Sequence, residues 1–222
     1  MQKTESVKQI ISLLPEEIEK RSFEIISLEL QNRGIALPKE QEAVTKRVIH
    51  TSADFDYADT MVYSPGAVQT AGELLLQGAD IVTDTNMALA GINKRVLAKL
   101  GGEAHCFMAD ADVARLAKER KTTRAAVSME KASGLKKPII FAIGNAPTAL
   151  VRLYEMIQAK TFCPAFIIGV PVGFVNVEAA KELIMETQVP FIVNRGRKGG
   201  SNIAAAVCNA LLYELVGKDR GN

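Results

Sequence analysis

Two rhythms divide the chain. From Pro15, apolar residues recur near helical spacing at Ile18, Phe23, Ile26 and Leu30, until Gly34 stops the pattern. Pro38 to Ile49 reads as a second amphipathic helix, with Val44, Val48 and Ile49 on one side. From Tyr63 onward, short apolar runs alternate with helical patterns. The runs are Ile81-Val-Thr, Glu103-Ala-His-Cys-Phe, Pro138-Ile-Ile-Phe-Ala-Ile, Pro164-Ala-Phe-Ile-Ile-Gly-Val and Pro190-Phe-Ile-Val. Each is too short for an ordinary helix and is bounded by turn residues, so each predicts a strand. The helical patterns between and after them cover about 65–78, 86–99, 110–132, 147–159, 176–187 and 200–216.

Alternating strands and helices predict a parallel sheet with helices on both faces. Near-continuous apolar strands are what a doubly covered sheet requires. The expected fold is a three-layer α/β/α arrangement with a mostly parallel Rossmann-like sheet and the N-terminal helices packed on it. One domain, 1–222, is expected, with a helical segment at 1–60 and an α/β core at 61–222. In such folds ligands sit at the carboxyl ends of the strands.

Composition narrows the partners. Hydrophobic residues are 48% of the 222, enough for a sizeable core, which excludes a disulfide miniprotein, a collagen or a disordered tail. Lys plus Arg is 27 and Asp plus Glu is 25, so the net charge of +2 exerts no global pull on nucleic acid or a membrane surface. Any anion site must be local. Aromatics at 5%, with no Trp, argue against base-stacking platforms. Cys106, Cys163 and Cys208 are few and far apart, which fits a reducing compartment rather than a disulfide framework. The polar start and the lack of an apolar run of about 20 residues make the cytoplasm the expected location.

Three turns after strands carry the candidate chemistry. Gly144-Asn-Ala-Pro-Thr-Ala-Leu offers a tight turn, a proline suited to a first helical turn, and free N–H groups placed to receive an anion. It is also an ordinary strand-to-helix turn. It matches neither the dinucleotide fingerprint nor a P-loop. Gly169-Val-Pro-Val-Gly-Phe-Val is a long apolar turn that suits a large flat ligand, or else a buried connection. Arg195-Gly-Arg-Lys-Gly-Gly-Ser-Asn joins guanidinium, ammonium and backbone N–H donors, and is the strongest local anion signal. A basic and hydroxyl cluster at Lys121-Thr-Thr-Arg offers Thr122 or Thr123 as caps for a helix starting near Arg124.

Of the two histidines, His105 sits in an apolar strand run beside Cys106 and reads as structural. His50 closes the second helix. It is either a proton donor near neutral pH or a helix-end residue complementing the dipole. If the helix continues, Asp54 lies one turn on and orients it. Asp54, Asp56 and Asp59 do not converge on one helix face and lack the calcium-loop glycine and glutamate, so a solvated acidic face is expected rather than a metal. No zinc-type spacing occurs.

Taken as a set, Val48-Ile-His-Thr-Ser, Val62-Tyr-Ser-Pro, Ala142-Ile-Gly-Asn-Ala-Pro-Thr-Ala-Leu, Gly169-Val-Pro-Val-Gly-Phe-Val and Arg195-Gly-Arg-Lys-Gly-Gly-Ser resemble the precorrin-8X methylmutase family of corrin biosynthesis. The resemblance runs from Arg21-Ser-Phe to the last helix. It implies an isomerase that moves a methyl group from carbon 11 to carbon 12 of a tetrapyrrole, giving cobyrinate or hydrogenobyrinate, and a homodimer. It implies His50 as the ring-side catalytic residue, Ser22 as a ring-side serine and Arg124 as a binding arginine.

The roles implied for the turns follow from a macrocycle fringed by carboxylates. Arg195, Arg197 and Lys198, with the N–H groups around Gly199, Gly200 and Ser201, are expected to hold the carboxylates. The turns containing Gly144 and Asn145, and Gly169 and Gly173, are expected at the ring, with Thr123 beside Arg124. The resemblance implies no cofactor and no protein metal site, any cobalt arriving inside the substrate. Two other readings stand beside it. One is a tetrapyrrole carrier without catalysis. The other is a generic nucleotide- or sugar-phosphate-binding Rossmann enzyme, weakened by the missing glycine fingerprint and the missing acidic ribose-binding residue after the first strand.

Overall fold

The computed structural model describes residues 14–217. Its contacts divide the chain into two compact units, Met1–Ala36 and Leu37–Asn222. In the first unit, helix α1 spans Pro15–Asn32. The Glu17 carboxylate accepts the Leu14 N–H at 3.0 Å, which satisfies one of the donors orphaned at a helix start. Gly34, with φ of +71°, ends the pattern as the periodicity predicts.

The second unit holds the sheet. Its elements run α2 (Glu42–Ser52), α3 (Tyr57–Thr60), β1 (Met61–Tyr63), α4 (Ala67–Leu76), β2 (Asp80–Thr83), α5 (Asn86–Gly91), α6 (Lys94–Lys99) and β3 (Ala104–His105). They continue with α7 (Ala111–Glu119), α8 (Arg124–Ala132), β4 (Ile139–Ile143), α9 (Pro147–Gln158), β5 (Phe166–Gly169), α10 (Val177–Met185), β6 (Phe191–Asn194) and α11 (Ser201–Gly217). The strand order is β1-β6-β5-β4-β2-β3. All neighbours are parallel except β1, which pairs antiparallel with β6, Met61 opposite Asn194. The fold is the expected three-layer α/β/α arrangement.

Strand residues alternate between two helical layers. Phe141 and Ile143 of β4 join Leu150 and Leu153 of α9 and Ala180 and Ile184 of α10 in one core. The opposite layer is built around α11, which packs on β4 and β5 and is flanked by α2, α4, α5 and α6. Being enclosed, α11 is apolar almost all round, with Ile203 to Cys208 continuously buried. The second N-terminal helix, α2, therefore belongs to this layer. Arg47 also lies over the Tyr213 ring, 5.4 Å from its centroid.

Three expectations need correction. The helical stretch 86–99 is two helices, because Ile92 is extended and the Asn93 side chain accepts the Val96 N–H at 3.2 Å to start a new one. The stretch 110–132 also breaks. Lys121 adopts φ of +52°, and Thr123 restarts the chain by accepting the Ala126 N–H at 3.1 Å. The expected strand 103–107 shrinks to Ala104–His105 at the sheet edge. Strand β1 carries no sequence signal, since three residues with no alternation show no period. Among the described residues no helix is long and apolar enough to cross a membrane.

Candidate functional site

The strand order reverses between β2 and β4, so the turns that follow them flank the crevice where doubly wound sheets bind ligands. After β2 comes Asp84, fully buried. After β4 come Gly144, Asn145 and Ala146, and then the first turn of α9. The Asp84 carboxylate accepts the N–H of Gly144 at 2.9 Å, of Asn145 at 2.8 Å and of Ala146 at 2.5 Å. Burial pushes the Asp84 carboxyl above the usual carboxylate range, and the three N–H donors pull against it.

This arrangement corrects one expectation. The N–H groups read as free to receive a substrate anion are already filled by the protein's own carboxylate. The same contact removes the phosphate cradle that a dinucleotide-binding enzyme needs at this place. Asp84 stands directly after β2, and nothing in the sequence around it signals this role.

The three glycine-containing turns are brought together. A Cβ on Gly144 would lie 2.7 Å from the Gly200 carbonyl oxygen, and one on Gly199 would lie 2.1 Å from that of Val170. Only glycine permits these approaches. Gly200 N–H donates to Val170 O at 2.9 Å, and Gly173 N–H to Arg197 O at 3.1 Å. The hydroxyls of Thr85 and Ser201 bond at 2.7 Å, joining the turn after β2 to the start of α11.

The loop 195–200 is gripped from both sides. On one side, α10 turns Glu178, Lys181 and Glu182 towards it. Arg197 Nε lies 2.8 Å from Glu178 Oε1, and Arg195 Nε lies 3.4 Å from Glu182 Oε1. Lys181 is fully buried and donates to the carbonyls of Gly196 at 2.7 Å and Lys198 at 2.8 Å. On the other side, buried Asn194 donates to Lys198 O at 2.8 Å and accepts from the Thr60 hydroxyl at 2.7 Å. The guanidinium groups of Arg195 and Arg197 stay more than half exposed.

Lys198 reaches away from this grip. Its ammonium lies 2.5 Å from Asp54 Oδ2 and 2.6 Å from Asp56 Oδ2, and holds the Asp54 carboxyl below the usual range. Helix α2 stops at Ser52 because Ala53 adopts φ of +54°. The helical spacing that would set Asp54 one turn beyond His50 is therefore not realised, and Asp54 serves Lys198. His50 is exposed on the last turn of α2. Thr45, on the same helix, bonds the Tyr63 hydroxyl of β1 at 2.8 Å and fixes the helix to the sheet.

The remaining expected residues fall in three places. Thr123 caps α8 and donates to the Thr148 hydroxyl at 3.0 Å, on the first turn of α9. Arg124 follows it, exposed. Gly169 closes β5. Ser22 lies on α1, its hydroxyl donating to Ile18 O at 2.9 Å. His105 lies stacked on Phe107, its Nε2 3.5 Å from Asp80 Oδ2. Among the described residues no group of three His, Cys, Asp or Glu is placed to hold a metal ion.

These features define a doubly wound α/β protein whose strand-end turns form a rigid cluster edged by exposed arginines. A family model described as precorrin-8X methylmutase matches residues 17–214. The cobalt-precorrin-8 methylmutase of Priestia megaterium is 42% identical over 201 residues, covering 90% of this chain and 88% of that one. That of Salmonella typhimurium is 43% identical over 206 residues, covering 90% and 96%. A crystal structure of precorrin-8X methyl mutase from Thermus thermophilus superposes with a TM-score of 0.80 at 36% identity, covering 92% of this chain and 99% of that one. The chain belongs to the precorrin-8X methylmutase family, isomerases of cobalamin biosynthesis.

Proposed function

We propose that this isomerase acts on cobalt-precorrin-8, moving the methyl group from carbon 11 to carbon 12 to give a cobalt-containing cobyrinate. The cobalt form is favoured over the metal-free one because relatives at 40–43% identity carry that name. The shift is internal: the bond from the methyl group to carbon 11 breaks as the bond to carbon 12 forms. It needs no redox cofactor and no protein metal, and cobalt arrives as part of the substrate.

The observation that supports the assignment of roles is the Lys198 bridge. It ties the loop bearing Arg195 and Arg197 to the segment just beyond His50. The arginines hold peripheral carboxylates, and Arg124 with Thr123 adds donors at the start of α8. His50 supplies a proton or strong hydrogen bond to charge developing on the ring, an effect typically worth ~10²–10⁴-fold. Ring positioning and desolvation supply the rest.

We place the protein in the cytoplasm as a homodimer. The free thiols of Cys106, Cys163 and Cys208 fit a reducing compartment. The exposed apolar tip of Val172, Phe174 and Val175 fits a face covered by a second copy. The carrier reading has no support among the relatives, which are named as mutases. Incubation with cobalt-precorrin-8 and, separately, precorrin-8X, followed by absorbance, tests the proposal. Conversion of the cobalt substrate to cobyrinate is expected, and conversion of neither would overturn it.

A further inference from the structure

Lys181 is a charged side chain in an unusual position. It has no exposed surface, and lysine is almost never fully buried unless paired. Among the described residues it forms no ion pair. Its acceptors are two backbone carbonyls of one short loop, Gly196 and Lys198. Burial lowers its pKa to about 8.

That loop is the one whose arginines face solvent. Three residues within one turn of α10 contact it, and they do different things. Glu178 and Glu182 take the guanidinium groups of Arg197 and Arg195 in pairs more than half exposed on both sides. Such exposed pairs are weak and exchangeable. Lys181 takes the backbone instead, in a place water does not reach. When the arginines leave their glutamates for a ligand's carboxylates, the backbone restraints stay. Lys198 O shows the division of labour, since it accepts from both Lys181 and Asn194 while the Lys198 ammonium is held by Asp54 and Asp56.

We propose that Lys181 is a positioning residue for substrate binding. It fixes the backbone of the loop 195–200 so that Arg195 and Arg197 can exchange Glu182 and Glu178 for carboxylates of the macrocycle. The inference rests on the tetrapyrrole reading above. It adds a specificity element lying below the surface that meets the ligand.

The test is titration of wild type, Lys181→Met and Leu97→Ala with cobyrinate, read by the pigment's absorbance, with kcat and KM measured on cobalt-precorrin-8. Leu97 is a fully buried residue of α6 and serves as a control for general destabilisation. Lys181→Met is expected to weaken cobyrinate binding at least tenfold and raise KM similarly, with kcat within about threefold. Leu97→Ala should bind within twofold of wild type. Lys181→Gln is measured in parallel, and if Lys181→Met does not fold the same criterion applies to it. Binding within twofold of wild type by the Lys181 variant overturns the inference alone. So does a loss matched by Leu97→Ala. Wild-type protein that binds no cobyrinate overturns the tetrapyrrole reading and the inference with it.

Discussion

The Lys198 ammonium lies 2.5 Å from the Asp54 carboxylate, joining the loop after the last strand to the residues just past His50. Both partners are partly exposed, so the pair adds little to stability. Its consequence is expected in catalysis. Lys198→Met and Asp54→Asn should each lower kcat on cobalt-precorrin-8 by about tenfold while melting within a few degrees of wild type. The double variant should lose little more than Lys198→Met alone, because Lys198→Met already removes the contact to Asp54 along with that to Asp56. Additive losses would show that the two residues act separately.

Asp84 is the internal anion of the switch-point crevice. Asp84→Ala leaves three backbone donors without their acceptor, at about 1–3 kcal/mol for each left unsatisfied. A thermal melt should fall by many degrees. Formate, a small carboxylate, should restore part of the loss in the variant and leave wild type unmoved, since a ligand stabilises only the state that binds it. Equal responses of both proteins would contradict an occupied crevice.

Lys181 gives a pH dependence with a definite sign. Its pKa is about 8 in the folded chain and about 10.5 when unfolded, so the unfolded state binds more protons between those values. Stability from this group is therefore lowest below pH 8 and rises as pH climbs towards 10.5. Comparison with Lys181→Met cancels other groups. Denaturant melts at pH 7 and pH 9 should show wild type gaining about 1 kcal/mol relative to the variant. No change in the gap would mean that Lys181 titrates normally.

Two glycines of one loop should respond differently to alanine. Gly196 has φ of +73° with nothing near a new Cβ, so Gly196→Ala costs only about 1 kcal/mol of backbone strain. Gly199 has φ of +153°, and a Cβ there would meet the Val170 and Pro171 carbonyls at 2.1 and 2.7 Å. Gly199→Ala must part the two turns. It should lower the melting temperature much further than Gly196→Ala and abolish cobyrinate binding. Similar melting temperatures would argue that the turns are not locked together.

The sheet was legible because β4, β5 and β6 are continuous apolar runs between glycine, proline and asparagine, which few other structures tolerate. The helix start at Thr123 was legible from its hydroxyl and the basic cluster around it, whereas the break at Asn93 was not, since a cap inside a helical pattern costs the periodicity nothing. The arginine loop was legible from its residue types. Its supports were not. A lysine such as Lys181 on an amphipathic helix reads as solvated, and only the fold brings the Gly196 and Lys198 carbonyls to it. The pairing of Asp84 with the turn after β4 spans some sixty residues and has no local signature. The condition on Asp54, that the helix continue past His50, is not met because one left-handed residue, Ala53, ends the helix first.

The central claim is that the chain catalyses the methyl shift with His50 acting at the ring. Single-turnover absorbance with cobalt-precorrin-8, comparing wild type with His50→Ala, tests it most directly. The account predicts that both proteins bind the pigment, that wild type converts it, and that the variant's rate falls by at least about a hundredfold. Turnover by His50→Ala at the wild-type rate would contradict it.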